Sequence, residues 1–392
     1  MNSPRECPQS RLLSRTVIAM ERTLDPVARR RAADESFQRA IEAFTSGDHQ
    51  RAEHEWLTAQ SEFVALDLKE RAVDCTVKLG VVYRATSRFG EAEEAYQQAR
   101  EFYSARGMDR LVANCTANLG NVYQSTGQHD EAEKAFSEAR SYFQTHDLHH
   151  EAATCAVNLG DLYWDARRAD EAELAYRSAL EYYQALNLHR QVADCQMNLG
   201  LVYWGTEQLD AAEAAYAAAR EFYIAQGLQR EVASAAISLA GIYASSGRYA
   251  LAESAYGSAK NYYEAHGLRH RVADCTIGLG LAYRELERYD EATAAYATAR
   301  EIYRGLDLAR QVADCTVGLA ATNQDAGRFG DAENDYKSAL AAYQELGLHR
   351  PVGDCMVGLA DIYQVTGRTD EAEAAYAEAR RQYEDHLSRR VS

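Results

Sequence analysis

The sequence predicts an all-α protein, a solenoid of about nine helix–turn–helix units. Three observations carry that prediction: a strict repeat period, helical spacing inside each period, and a near absence of proline. Cys75, Cys115, Cys155, Cys195, Cys275, Cys315 and Cys355 follow a 40-residue step, with Ala235 filling the one gap. The same step aligns Leu79 with every equivalent through Leu359, and Tyr83 with every equivalent through Tyr363 except Asn323. A period of this length marks stacked supersecondary units, each too small to bury its apolar face alone. Only 4 of the 392 residues are proline, and Pro4, Pro8 and Pro26 precede the regular part, so long helices are permitted almost throughout.

Within one period the elements follow in order. Cys115, Leu119 and Tyr123 are four apart and define one face of a first helix, here termed helix A. Ala132, Phe136, Ala139 and Phe143 keep the 4-3-4 rhythm of a second, helix B. Asp130, Asp170, Asp210, Asp290 and Asp370 stand where an N-cap of helix B is expected. Glu133, Glu173, Glu213 and Glu373 follow three residues later, the spacing of a capping box. Helix B ends at Gly107, Asp147, Asn187, Gly227, Gly267, Asp307 and Gly347, residue types that tolerate a left-handed backbone. Pro351 falls at the first turn of a helix A, where its missing N–H costs nothing.

The predicted organisation is one solenoid over 26–389, with units near 31–70, 71–110, 111–150, 151–190, 191–230, 231–270, 271–310, 311–350 and 351–389. Asp25 and Pro26 read as the cap and first turn of the opening helix. Residues 1–25 form an extension. Its 11–24 segment either docks Leu13, Val17 and Met20 on the first unit as a short helix or stays without structure.

Composition narrows function. The chain is 47% hydrophobic and 26% charged, foldable material with no run of 18 apolar residues for membrane insertion. Its 59 acidic against 42 basic residues give a formal charge of −17, which sets it against the phosphate backbone of nucleic acid. The N-terminus lacks the apolar core of an export signal, so the expected compartment is the cytoplasm.

Asn118-Leu119-Gly120-Asn121-Val122-Tyr123, followed by Gly127, Ala132, Phe136 and Ala139, resembles the tetratricopeptide repeat consensus. The 40-residue form is similar to that of Pins-type polarity adaptors and kinesin light chains. The resemblance implies a right-handed superhelix with helix A lining its inner surface, and a protein- or peptide-binding role without catalysis. A ligand-responsive regulatory receptor is the alternative it leaves open.

Carried over position by position, the resemblance assigns three columns of helix A to the groove: the residue before the Leu, the second residue after it, and the residue after the Tyr. These columns vary while their neighbours hardly change. Expected partner-binding residues are Arg84, Asn118, Asn121, Gln124, Asn158, Asp161, Trp164, Asn198, Leu201 and Trp204. The asparagine amides can pair with the N–H and C=O groups of an extended chain. Trp164 and Trp204, two of only 3 tryptophans, would supply aromatic anchors on adjacent rungs. The alternative is that their rings fold back on neighbouring helices. An extended segment would run at about three residues per repeat, from a helix spacing of about 10 Å and about 3.3 Å per residue.

Arg110, Arg190, Arg230, Arg310 and Arg350 form a second ladder at the start of helix A. Asp194, Asp274, Asp314 and Asp354 follow four residues after the corresponding Arg or His. The ladder is either a set of weak i,i+4 ion pairs, about 0.2–0.5 kcal/mol each, or a basic rail for acidic side chains of a partner.

The cysteines are expected to be small buried hydrophobes. His146, His149 and His150 are expected to form a solvated junction, and no metal or other cofactor is called for. No nucleophile–base pair or phosphate loop breaks the period. At the C-terminus the outer column ends in Ala342 and Gln382 while Tyr376 and Tyr383 stay apolar-facing. This predicts an exposed edge for weak self-association.

Overall fold

The computed structural model describes residues 25–391, and side chains as far as residue 385. The 11–24 segment and Cys7 lie outside the described residues. Among the described residues there are eighteen α-helices and no strand. They fall into two compact units, Met1–Asn187 and Leu188–Ser392.

The first unit contains four helix pairs. These are α1 (Pro26–Thr45) with α2 (His49–Ala65), α3 (Lys69–Ala85) with α4 (Phe89–Ser104), α5 (Asp109–Ser125) with α6 (His129–Thr145), and α7 (His149–Asp165) with α8 (Ala169–Ala185). The second contains five: α9 (His189–Gly205) with α10 (Leu209–Ala225), α11 (Gln229–Ser245) with α12 (Tyr249–Ala265), α13 (Arg269–Glu285) with α14 (Tyr289–Arg304), α15 (Ala309–Asp325) with α16 (Phe329–Glu345), and α17 (His349–Val365) with α18 (Thr369–Val391). Odd-numbered helices are helix A of their repeat and even-numbered ones helix B.

The pairs close because small residues meet rings. Gly120 of α5 and Gly160 of α7 lie directly under Phe136 and Tyr176, where a Cβ would come within 2.7 Å and 2.6 Å of the ring. Phe136 is fully buried with Leu159 and Leu162 beside it. The periodic cysteines, Cys75 through Cys355, are at most 2% exposed. Burial pushes the thiols of Cys75, Cys115, Cys155, Cys275, Cys315 and Cys355 up to about 12.

Turns carry the left-handed residues expected at the end of helix B. Gly107, Asp147, Asn187, Gly227, Gly267, Asp307 and Gly347 all have φ between 55° and 68°. The turn from A to B has them too, including Ser87, Arg167, Glu207 and Glu287, whose φ lies between 59° and 62°. Each helix A closes with the long Schellman bond, as in Arg88 N–H to the Tyr83 carbonyl at 2.8 Å.

The expected capping boxes do not form. α6 starts two residues earlier than the pattern implied, with Gln128 at its N-cap and no side-chain bond there, so Asp130 stands inside the first turn. Asp170, Asp210, Asp290 and Asp370 are likewise first-turn residues, where a carboxylate favours the helix dipole instead of capping it. Among the described residues a side chain caps a helix only at Asp25 and Asp48. Glu133 and Glu213 are engaged across repeats: Glu133 accepts from Arg168 at 2.6 Å and Tyr163 at 3.0 Å, and Glu213 accepts from Arg248 at 2.6 Å.

That contact recurs as a clamp between successive repeats. The guanidinium at the start of helix B lies over the last tyrosine of its own helix A, as Arg168 does over Tyr163 at 4.4 Å and Arg368 over Tyr363 at 4.1 Å. Its other end reaches a glutamate on the preceding helix B, as Arg368 does to Glu333 at 2.7 Å. The clamp is absent where Gln128 and Gln208 replace the arginine, and it changes where Thr293 replaces the glutamate and Asn323 the tyrosine, so that Arg328 pairs with Asp290. Asn323 donates to Asp335 at 2.9 Å, and Asp335 stands in a column that reads alanine in every other repeat after the first.

Candidate functional site

The candidate surface in the first unit lies on α5 and α7. Asn158 donates to the Asn121 side-chain oxygen at 3.3 Å, and the Asn121 amide donates to its own helix at the Ala117 carbonyl. The two asparagines thus form a rung between neighbouring helices before any ligand arrives. Tyr176 donates its hydroxyl to Asp161 at 2.5 Å. Burial raises the Asp161 carboxyl above its ordinary range, and the Tyr176 bond works against that rise. Asn118, Gln124 and Trp164 are half-buried and Arg84 is exposed.

In the second unit, Asn198, Leu201 and Trp204 occupy one face of α9. Leu201 is 40% and Trp204 37% exposed, a large apolar area to leave in water. The Trp204 ring reaches over α11, where a Cβ at Gly241 would lie 2.9 Å from its Cη2. The Trp204 ring thus folds onto the next helix and keeps part of its surface exposed. It borders a cavity of about 310 Å³ with Gly241, Ala244, Tyr249, Tyr256, Leu281 and Glu285.

In three repeats the column before the Leu is covered by a neighbouring ring. Gly278 and Gly318 are covered by Tyr256 and Tyr296, with a Cβ 2.5 Å from each ring, and Gly358 is covered by Tyr336. In these repeats the helix-B ring leans on the next helix A. Where Ala240 and Ala320 replace the glycine after the Leu, the place that Tyr256 and Tyr336 would take against their own helix A is narrowed.

The i,i+4 pairing is also corrected. Asp194, Asp274, Asp314 and Asp354 accept from Tyr223, Tyr303, Tyr343 and Tyr383 on the following helix B, at 2.5–2.7 Å. Only His270 makes the expected contact, with Asp274 at 3.2 Å. Arg110 and Arg190 pair with Glu151 and Glu231 of the next helix A at 2.7 Å and 3.0 Å. Arg230, Arg310 and Arg350 are exposed and make no ion pair among the described residues. At the C-terminal edge Tyr383 packs over Gly353 and is half-buried, whereas Tyr376 is 38% exposed.

His146 stacks on Tyr142 and His149 on Tyr182, so the histidines face different rings. Among the described residues no three His, Cys, Asp or Glu side chains gather as a metal would require. No helix among the described residues is long and apolar enough to cross a membrane.

The clamp and the Trp204–Gly241 contact went unread in the sequence. The second had a signal: Leu239-Ala240-Gly241 moves the glycine one place from the Leu-Gly order of earlier repeats.

Paired helices in 40-residue register, with rings seated on glycines and varied residues on helix A, define a helical-repeat scaffold. The chain belongs to the tetratricopeptide repeat family, whose models match residues 110–185, 231–305 and 311–385, and also 37–106 and 157–227. No curated protein matches it in sequence. Solved structures of similar fold include the apo quorum sensor NprR of B. thuringiensis, at 15% identity and TM-score 0.64, covering 89% of this chain and 98% of that one. A signal transduction ATPase with a tetratricopeptide repeat sensor from Pyrococcus horikoshii matches at 15% identity and TM-score 0.62, covering 88% of this chain and 54% of its own length. A Rap protein complexed with competence and sporulation factor matches at 13% identity and TM-score 0.55, covering 91% of this chain and 99% of that one. At these identities the likeness is one of fold.

Proposed function

We propose that this chain is a non-catalytic scaffold or adaptor that binds a protein or extended peptide segment on its helix-A faces. The observation that carries the proposal is Trp204, 37% exposed over a glycine and bordering an open cavity. Tertiary packing alone gives no reason to leave so large a ring in water, and aromatic anchors beside polar groups are the usual make-up of a binding hot spot. Asn198 adds a half-buried amide to the same face of α9. The charge of −17 argues against nucleic acid as the partner. Chemistry is needed once per protein, and the residues recurring in every repeat serve packing.

The test is affinity capture with the intact chain and with Trp204→Ala and Trp164→Ala, each checked for unchanged helical content. Capture lost in a folded variant supports the proposal. A partner held equally well by all three places the binding face elsewhere.

A second reading, a ligand-responsive regulatory receptor, is favoured by similarity to proteins described as a quorum sensor and as a complex with competence and sporulation factor. Small-angle scattering separates the two. A receptor changes its radius on binding the captured segment, and a passive scaffold does not.

A further inference from the structure

We propose that the cavity beside Trp204 is a cation pocket that takes an arginine or lysine side chain of the bound segment, so that the partner is a basic peptide. The proposal rests on the helix-A binding reading above and names the chemistry recognised there.

The cavity exists because one repeat departs from the pattern. In the columns where neighbouring repeats carry Leu201 and Leu281, and Trp204 and Arg284, this repeat carries Gly241 and Ala244. Both are small, and together they open about 310 Å³, the low end for a ligand site and suited to one side chain. A departure made once, and matched by a ring laid over the glycine, is not explained by stacking.

The lining favours a cation over a plain apolar anchor. Trp204, Tyr249 and Tyr256 present three aromatic rings, whose faces are electrostatically negative, and Leu281 gives an aliphatic stem something to lie against. Glu285 lines the cavity, and Asp325 of the next helix A shares its arginine partner. One guanidinium serves both: Arg284 donates to Glu285 at 2.8 Å and its Nε lies 3.4 Å from Asp325. Two carboxylates against one cation leave a net negative charge, on a chain that is itself at −17. An acidic residue would be repelled there.

The experiment selects peptides from a random display library on the intact chain. Their dissociation constants are then measured for the native protein, Glu285→Gln and Trp204→Leu. Leucine keeps apolar bulk but removes the ring, and circular dichroism confirms that each variant is folded. Enriched peptides should share an Arg or Lys. Trp204→Leu should weaken them roughly 3- to 30-fold, and Glu285→Gln roughly 2- to 5-fold, more at low salt. Peptides enriched without a basic residue, or held unchanged by both variants, would overturn the cation pocket and leave an apolar anchor on the same binding face. If no peptide is enriched, both the pocket and the peptide-binding reading fall.

Discussion

Gly120→Ala isolates what the repeat glycines are for. The new Cβ would lie 2.7 Å from Phe136 Cε1 and 2.8 Å from Cδ1, where an ordinary carbon contact is about 3.5–4.0 Å. The ring must therefore give by roughly 1 Å, judged against that contact distance. It has little room to do so, because Phe136 is fully buried among Ala132, Leu159, Leu162 and Ala175. Overpacking of this kind costs about 1–3 kcal/mol. Removing a glycine from a helix interior returns about 0.8–1.0 kcal/mol. The net expectation is a loss of up to about 2 kcal/mol, from those two opposing contributions. Gly257→Ala is the control: it lies within α12 with nothing inside 4 Å of its Cβ, so only the propensity gain remains. Urea unfolding of the full chain, followed by circular dichroism, should move the two midpoints in opposite directions. Gly120→Ala raising the midpoint as Gly257→Ala does would refute the packing argument.

Thiol reagents should reach the periodic cysteines only after unfolding, and fast labelling of several in native protein would contradict their burial. The six thiols held near 12 have an unfolded value of about 8.5. The fold therefore favours their protonated form, and stability present below that value should fall as pH rises toward 12. A flat alkaline limb in pH-dependent unfolding would count against this. Glu133 and Glu333 are held below the usual carboxylate range by Arg168 and Arg368, so their contribution is present above about pH 4.3 and lost on acidification. Arg168→Gln should flatten part of that acid limb, and an unchanged limb would remove the clamp as its source. Asp335→Ala alone should cost about 1–3 kcal/mol by leaving Asn323 unpartnered, whereas Asn323→Tyr with Asp335→Ala should recover most of it. Equal losses in the single and double variants would show that the pair is not coupled.

The helix pairs and their left-handed turns were legible in the sequence because both are local. A 40-residue register exposes the face of each helix, and Asp147, Asn187 and Asp307 alternating with glycine report φ directly. The misreadings share a different cause. Glu133 has the right spacing for a capping box, yet its partner Arg168 is 35 residues away on the next repeat, and a charge-assisted bond across repeats outcompetes a local cap. Asp194 looks paired with Arg190 four residues before it, yet Tyr223 takes the carboxylate from 29 residues on. The sequence offers the groove as variable columns, with Trp204 in one of them. Variability alone could not show that Gly278 is variable because a ring from the neighbouring helix fills the space its side chain would need.

Site-directed photo-crosslinking tests the central claim most directly. A benzophenone side chain at Leu201, 40% exposed on helix A beside Trp204, is compared with one at Leu251, 49% exposed on helix B of the next repeat. Binding on helix-A faces gives a crosslink to the captured segment from position 201 and none from 251. Crosslinking from 251 and not from 201 would contradict it.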